Sequence, residues 1–226
     1  MKLSIRGLCL AGLCLTVVFA FGAVGSASAA KTLLFESSSG FPYHMVGTGG
    51  ASKLEGVGGG TVTSTSSDLL TVILSKTLFD LRILFLGAKT GNTACSNTSN
   101  TEGILVHLLG HLGLADPGDK PAVLLLVPTG FEFKCGAFIT EKIRGSVIGE
   151  ITKPALLVAG QKEMTIKFEQ VKGVQKYTEF LLPGGTLDKG LFEESSLDGF
   201  PFEQSGQEGE GTVKATGTGT FELKDE

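Results

Sequence analysis

Phe131-Glu132-Phe133-Lys134-Cys135 is the stretch that decides the fold class. In an extended chain successive side chains point to opposite faces, so both Phe rings and the Cys share one face while Glu132 and Lys134 share the other. One face is core and the other meets water. Met164-Thr165-Ile166-Lys167-Phe168-Glu169 repeats the alternation, as do Thr61-Val62-Thr63-Ser64-Thr65 and the run from Thr212 to Phe221. Leu69 to Leu74, Leu78 to Leu86 and Ala122 to Val127 are nearly continuous apolar runs, the pattern of strands covered on both sides. Ile104–Leu114 and Ala122–Val127 flank Ala115-Asp116-Pro117-Gly118-Asp119-Lys120-Pro121, a cluster of turn formers, so the two runs are expected to pair as a hairpin.

Glycine and β-branched residues interrupt every window long enough for a helix. Pro154 to Gly160 has room for one helical turn. With 33 glycines in 226 residues and turn residues between short apolar runs, the expected fold is all-β. It is an antiparallel β-sandwich or distorted barrel of roughly nine to eleven strands. No Pro-rich or Ser-rich linker divides the chain, so residues 30–226 read as one domain. The acidic, glycine-rich segment 183–211 lacks hydrophobic alternation and is expected to be a long mobile loop.

The first 29 residues have the form of an export signal. Lys2 and Arg6 make a positive start, Gly7 to Val24 an apolar stretch, and Ala27-Ser28-Ala29 the small-x-small pattern of a cleavage site. Ser, Gly and Ala follow the apolar stretch where an anchor would carry basic residues. Leu8 and Leu13 precede Cys9 and Cys14 where lipidation needs a small residue. A secreted, extracellular protein is therefore expected. Cleavage removes two positive charges and moves the net charge from −4 to −6, which disfavours nucleic acid as a partner. Leu69 to Leu86 is the longest later apolar stretch, and Ser75, Lys76, Asp80 and Arg82 break it, so no integral membrane segment is expected after cleavage. An outer-membrane barrel would carry aromatic girdles, yet the chain has no Trp and only Tyr43 and Tyr177. Cys95 and Cys135 are the two cysteines beyond the signal. In an oxidising compartment they allow one bridge, expected to stabilise the fold by roughly 4 kcal/mol through closing a forty-residue loop.

Signals for chemistry are sparse. His107 and His111 have the spacing of a helical metal pair, but on a strand they stand about 13 Å apart, and Gly110 and Gly113 favour strand. With His44 the only other histidine, no metal site and no cofactor are expected. Gly145-Ser146-Val147-Ile148-Gly149 has its serine one place early for a nucleophile elbow and reads as a glycine-flanked strand with a bulge or a close backbone approach. Gly47-Thr48-Gly49-Gly50 and Gly56 to Gly60 lack the Lys-Ser/Thr of a phosphate loop and read as turns. Asp188, Glu193, Glu194 and Asp198 could supply paired carboxylates for glycoside cleavage, but on a glycine-rich loop they read as solvated surface. Asn97-Thr98-Ser99 matches a glycosylation sequon. The alternating Thr61, Thr63, Thr65 and Thr216, Thr218, Thr220 read as exposed strand positions.

At Cys95, at Phe131–Cys135 with Gly145 to Ile151 after it, and at Lys167-Phe168 followed by Gln175 to Tyr177, the chain resembles exported β-rich proteins of actinobacterial type to which no function is assigned. The resemblance implies a bacterial, secreted protein and carries no catalytic residue with it. The expectation is a non-enzymatic extracellular protein with a structural or surface-binding role, its partner a cell-wall or extracellular polysaccharide or a protein. A secreted hydrolase using His107, His111 or the acids from Asp188 to Asp198, and self-assembly through Thr212–Phe221 as an edge strand, are the alternatives.

Overall fold

In the computed structural model of the chain, residues 32–97 and 103–225 are described; the leader expected over residues 1–29 lies outside them. The described chain is all-β, without a helix. In chain order the strands are β1 (Leu33–Ser37), β2 (Tyr43–Gly49), β3 (Ser52–Gly56), β4 (Thr61–Ser64), β5 (Ser66–Ile73), β6 (Leu78–Leu86), β7 (Lys89–Thr90), β8 (Thr93–Ser96), β9 (Gly103–Asp116), β10 (Lys120–Cys135), β11 (Ile139–Lys153), β12 (Glu163–Phe168), β13 (Gln170–Val171), β14 (Val174–Gln175), β15 (Glu179–Leu181), β16 (Leu187–Lys189), β17 (Glu193–Leu197), β18 (Glu203–Ala215) and β19 (Phe221–Asp225).

Eight strands form a closed ring. β2 pairs with β5, β5 with β6, β6 with β9, β9 with β10, β10 with β11, β11 with β12 and β12 with β18, and β18 returns to β2, every pairing antiparallel. Because ring order follows chain order, this is a meander barrel, whose closure removes the free edges an open sheet would expose. The ladder thus selects the barrel of the two expected forms. The expected β9–β10 hairpin is present, with Ala115 opposite Lys120.

A second ring continues the first at one end. β10, β11 and β18 have 16, 15 and 13 residues, and their outer ends take new partners. The chain of pairings β18–β3–β4–β7–β8–β10–β11–β17 closes back on β18. The molecule is therefore a barrel of two storeys sharing three long strands. Each shared strand bends or changes partner at the junction. β10 has a bulge between Val127 and Phe131, and β18 leaves β3 after Glu208 and meets β12 from Gly209. β11 turns at Gly145, whose φ is +96° and whose Cβ, if present, would lie 2.4 Å from the Phe192 carbonyl oxygen. This is the close backbone approach expected of the Gly145–Gly149 segment, and it leaves no strand-to-helix turn to present Ser146.

The upper storey is packed. Met45, Ile73, Phe79, Leu112, Val123, Leu125, Met164 and Val213 fill it and are buried. A ribbon of β1 and β19 closes its far end, with the Phe35 and Phe221 rings stacked at 4.7 Å and Tyr43 5.5 Å from Phe35. Each fully buried Phe or Leu contributes about 2 kcal/mol. Residues 174–191 fold over the outside of β9–β11, where Tyr177 and Phe180 pack on Ala115, Ala122, Leu124 and Ile148. That cover explains why Ala122–Val127 is apolar on both sides.

Four expectations need correction. Leu69–Leu74 and Leu78–Leu86 are covered on one side only, with Leu70 41% and Leu74 44% exposed, because no described segment folds over the outside of β5 and β6. Segment 183–211 is not a long loop: it contains β16, β17 and the start of β18. Its inward positions include Glu193, Ser195 and Ser205, so the alternation is polar on both faces and invisible to hydrophobic patterning. The C-terminal run stops as a strand at Ala215 and resumes at Phe221, so Thr216, Thr218 and Thr220 are not strand positions. Pro154–Gly160 holds no helical turn.

Candidate ligand cavity in the lower storey

The lower storey contains a cavity of about 490 Å³. Leu54 from β3, Val62 from β4, Ile139 from β11 and Leu197 from β17 make its apolar wall, and Phe200 and Phe202 extend it at the β17–β18 turn. Phe200 is also 69% exposed, so the cavity reaches solvent there. Against this wall stand Glu141, Ser195 and Glu203. They converge because of strand register: Ser195 faces Glu203 across β17–β18 and Ile143 across β17–β11, which sets Glu141 diagonally beside it.

Each acid is held by neutral donors. Ser195 hydrogen-bonds the Glu141 carboxyl, and burial, with the neighbouring Glu203 and Asp198 charges, holds that carboxyl above its ordinary value. Glu203 Oε2 accepts the Gly58 N–H at 3.1 Å. A Cβ at Gly56 or Gly58 would come within 2.2–2.5 Å of the Glu203 carboxylate, so a side chain at either position would push that carboxylate aside. Glu193, two residues before Ser195 on the same inward face, is 4% exposed. It accepts from Ser205 Oγ at 3.3 Å, and burial pushes its carboxyl up to about 7. It also lines a narrower, mostly apolar cavity of about 90 Å³ that runs into the upper storey, room for a few waters.

The acids expected as a solvated group are thus dispersed. Glu193 points into the barrel, Glu194 points out and pairs with Arg144 Nε at 2.7 Å, and Asp198 accepts the Thr140 N–H in the β17–β18 turn. Asp188 lies on β16, opposite Phe180. The expectation that nothing buries these acids fails at Glu193. Glu141 and Glu203 were not singled out by sequence, because Glu141 sits in an ordinary alternating strand and Glu203 in the acidic segment.

His107 and His111 lie on the outer wall, where His107 bonds Asp80 Oδ2, and neither lines the cavity. Among the described residues no three His, Cys, Asp or Glu stand together as a metal site. Asn97 bonds the Leu105 backbone through both amide atoms, at 2.7 and 2.8 Å; Thr98 and Ser99 of the sequon lie outside the described residues. Cys95 and Cys135 face each other across β8–β10 and are joined in a disulfide, and Cys135 lines the cavity. No helix among the described residues is long and apolar enough to cross a membrane.

No protein-family model, curated protein or solved structure matches the chain.

Proposed function

We propose that this chain is an exported, non-enzymatic binding protein that holds a small, largely apolar molecule in the lower storey of its barrel. The observation that carries the reading is the 490 Å³ cavity, a volume within the range of about 300–1,000 Å³ typical of ligand sites, with an apolar wall and a few convergent polar groups. The packed upper storey serves as the rigid support. Export rests on the leader pattern of residues 1–29, and the Cys95–Cys135 disulfide accords with an oxidising compartment. The hydrolase reading loses support because His107 and His111 face outward. Assembly through Thr212–Phe221 loses support because Thr212 to Lys214 pair on both sides, with β2 and β12.

The test is fluorescence titration of the mature protein with prodan, a neutral apolar fluorophore, alongside the Gly60→Trp variant. Gly60 lines the cavity and has nothing within 4 Å of where a Cβ would stand, so the indole can occupy the mouth without disturbing the wall. Saturable one-to-one binding, weakened at least tenfold by G60W, is the expected result. Absence of saturable binding, or binding indifferent to G60W, contradicts the proposal.

A further inference from the structure

The interior of the lower storey is charged with one sign. Glu141, Glu193 and Glu203 face inward on three adjoining strands, and none pairs with a lysine or arginine among the described residues; the basic partners of the neighbouring strands all lie on the outer surface, as with Arg144–Glu194 and Lys142–Glu132. Carboxylates set in an apolar wall cost free energy unless a cation or several donors reach them. Here the donors are Ser195, Ser205 and the Gly58 N–H. A carboxylate has about four accepting sites, and the described residues supply one donor to each of these three acids. Glu193 is the extreme case, buried and with its one hydrogen bond at 3.3 Å.

We propose that the lower cavity selects a cationic amphiphile, with an apolar body against Leu54, Val62, Ile139 and Leu197 and a protonated amine against Glu141 and Glu203. This rests on the binding reading above and names the ligand class that reading leaves open. An ammonium group brings three donors and a positive charge to two acids that have one neutral donor each and no cationic partner among the described residues. An alcohol of the same length brings one donor and no charge, and a carboxylate meets like charge. A bare metal ion fits less well, since no three ligating side chains converge among the described residues and most of the wall is apolar. The Phe202 ring at the rim is already faced on its outer side by the Arg144 guanidinium, 3.8 Å from its centroid, so the wall next to the acids is held in place by a cation outside the cavity.

The test compares three ten-carbon probes on the mature wild-type protein by calorimetry near pH 7.5: decylamine, decanol and decanoate. Charge-assisted hydrogen bonds are worth roughly ten- to hundredfold in affinity over the neutral group. Decylamine is therefore expected to bind at least tenfold tighter than decanol, with decanoate weakest. In the Glu141→Gln/Glu203→Gln double variant the decylamine-to-decanol ratio should fall to about one. Equal affinity for decylamine and decanol in the wild type, or tighter binding of decanoate, overturns the cationic assignment while leaving the binding reading intact. If none of the three binds, the binding reading itself has failed. The comparison on the wild type decides the matter even if the double variant does not fold.

Discussion

Glu193 is the residue at which the interior's chemistry is most exposed to measurement. Its carboxyl titrates near 7 when folded, because burial disfavours the charged form, and near the ordinary 4.5 when the chain is unfolded. Between those values the folded protein holds a proton that the unfolded chain has released. This contribution is therefore fully present below about pH 4.5, falls as pH rises, and is gone above about pH 7, a change on the order of 3 kcal/mol. Glu193→Gln removes this pH dependence, because the neutral amide stands in for the protonated carboxyl at every pH. In denaturant unfolding the variant should match the wild type near pH 4 and exceed it by roughly 3 kcal/mol near pH 8. A difference that does not change with pH would show that Glu193 is not buried. Nothing in Phe192-Glu193-Glu194-Ser195-Ser196 announces this role. An acid on a polar strand facing a polar interior has the same local pattern as an acid on a loop, and only register against β11 and β18 separates them.

At the scale of elements, the lower storey has a thin side. β4 and β7 share one register pair, Thr63 with Lys89, while β7–β8 and β8–β10 share two each. The disulfide ties β8 to β10 across one of these short seams, and Cys135 is itself part of the cavity wall. The Cys95→Ser/Cys135→Ser double variant should lose about 2–4 kcal/mol of stability and most of its prodan affinity. Retained affinity would mean that the wall stands without the bridge. Gly145→Ala addresses the opposite side. It places a methyl against the Phe192 carbonyl at a positive φ, and should cost at least about 2 kcal/mol in chemical denaturation. An effect under 0.5 kcal/mol would contradict the kink described in β11. Elements of this kind were partly legible. Phe131–Cys135, Met164–Phe168 and the β9–β10 hairpin follow from alternation and turn residues, because their inward side chains are apolar. The continuity of Ala122–Val127 with Phe131–Cys135 as one bulged strand did not follow, since Pro128, Thr129 and Gly130 read as an interruption when they are a bulge. β17 and the first half of β18 were hidden because their inward positions, Glu193, Ser195 and Ser205, are polar.

For the whole molecule, strand length is the organising fact. Three strands long enough for two rings let a packed, capped barrel support a second ring whose interior is left unfilled. The proposed binding function and the packed core thereby fall at opposite ends of one sheet. Amide hydrogen exchange should reflect this, with slow exchange in β5, β6 and β9 and faster exchange in β4, β7 and β8. Uniform protection of both groups would contradict the division of labour. The all-β class was readable from composition and alternation, but two-storey closure was not. Which strand meets which is a long-range property, and β18, in one continuous run, serves both rings, pairing with β2 and β12 in one and with β3 and β17 in the other. The most direct test of the central claim is a methyl NMR titration of residues 30–226 with prodan. Saturable shifts should gather at Leu54, Val62, Ile139 and Leu197 around the lower cavity. Absence of shifts there, or shifts centred on the outer-wall residues Leu70, Leu74 and Leu105, would contradict it.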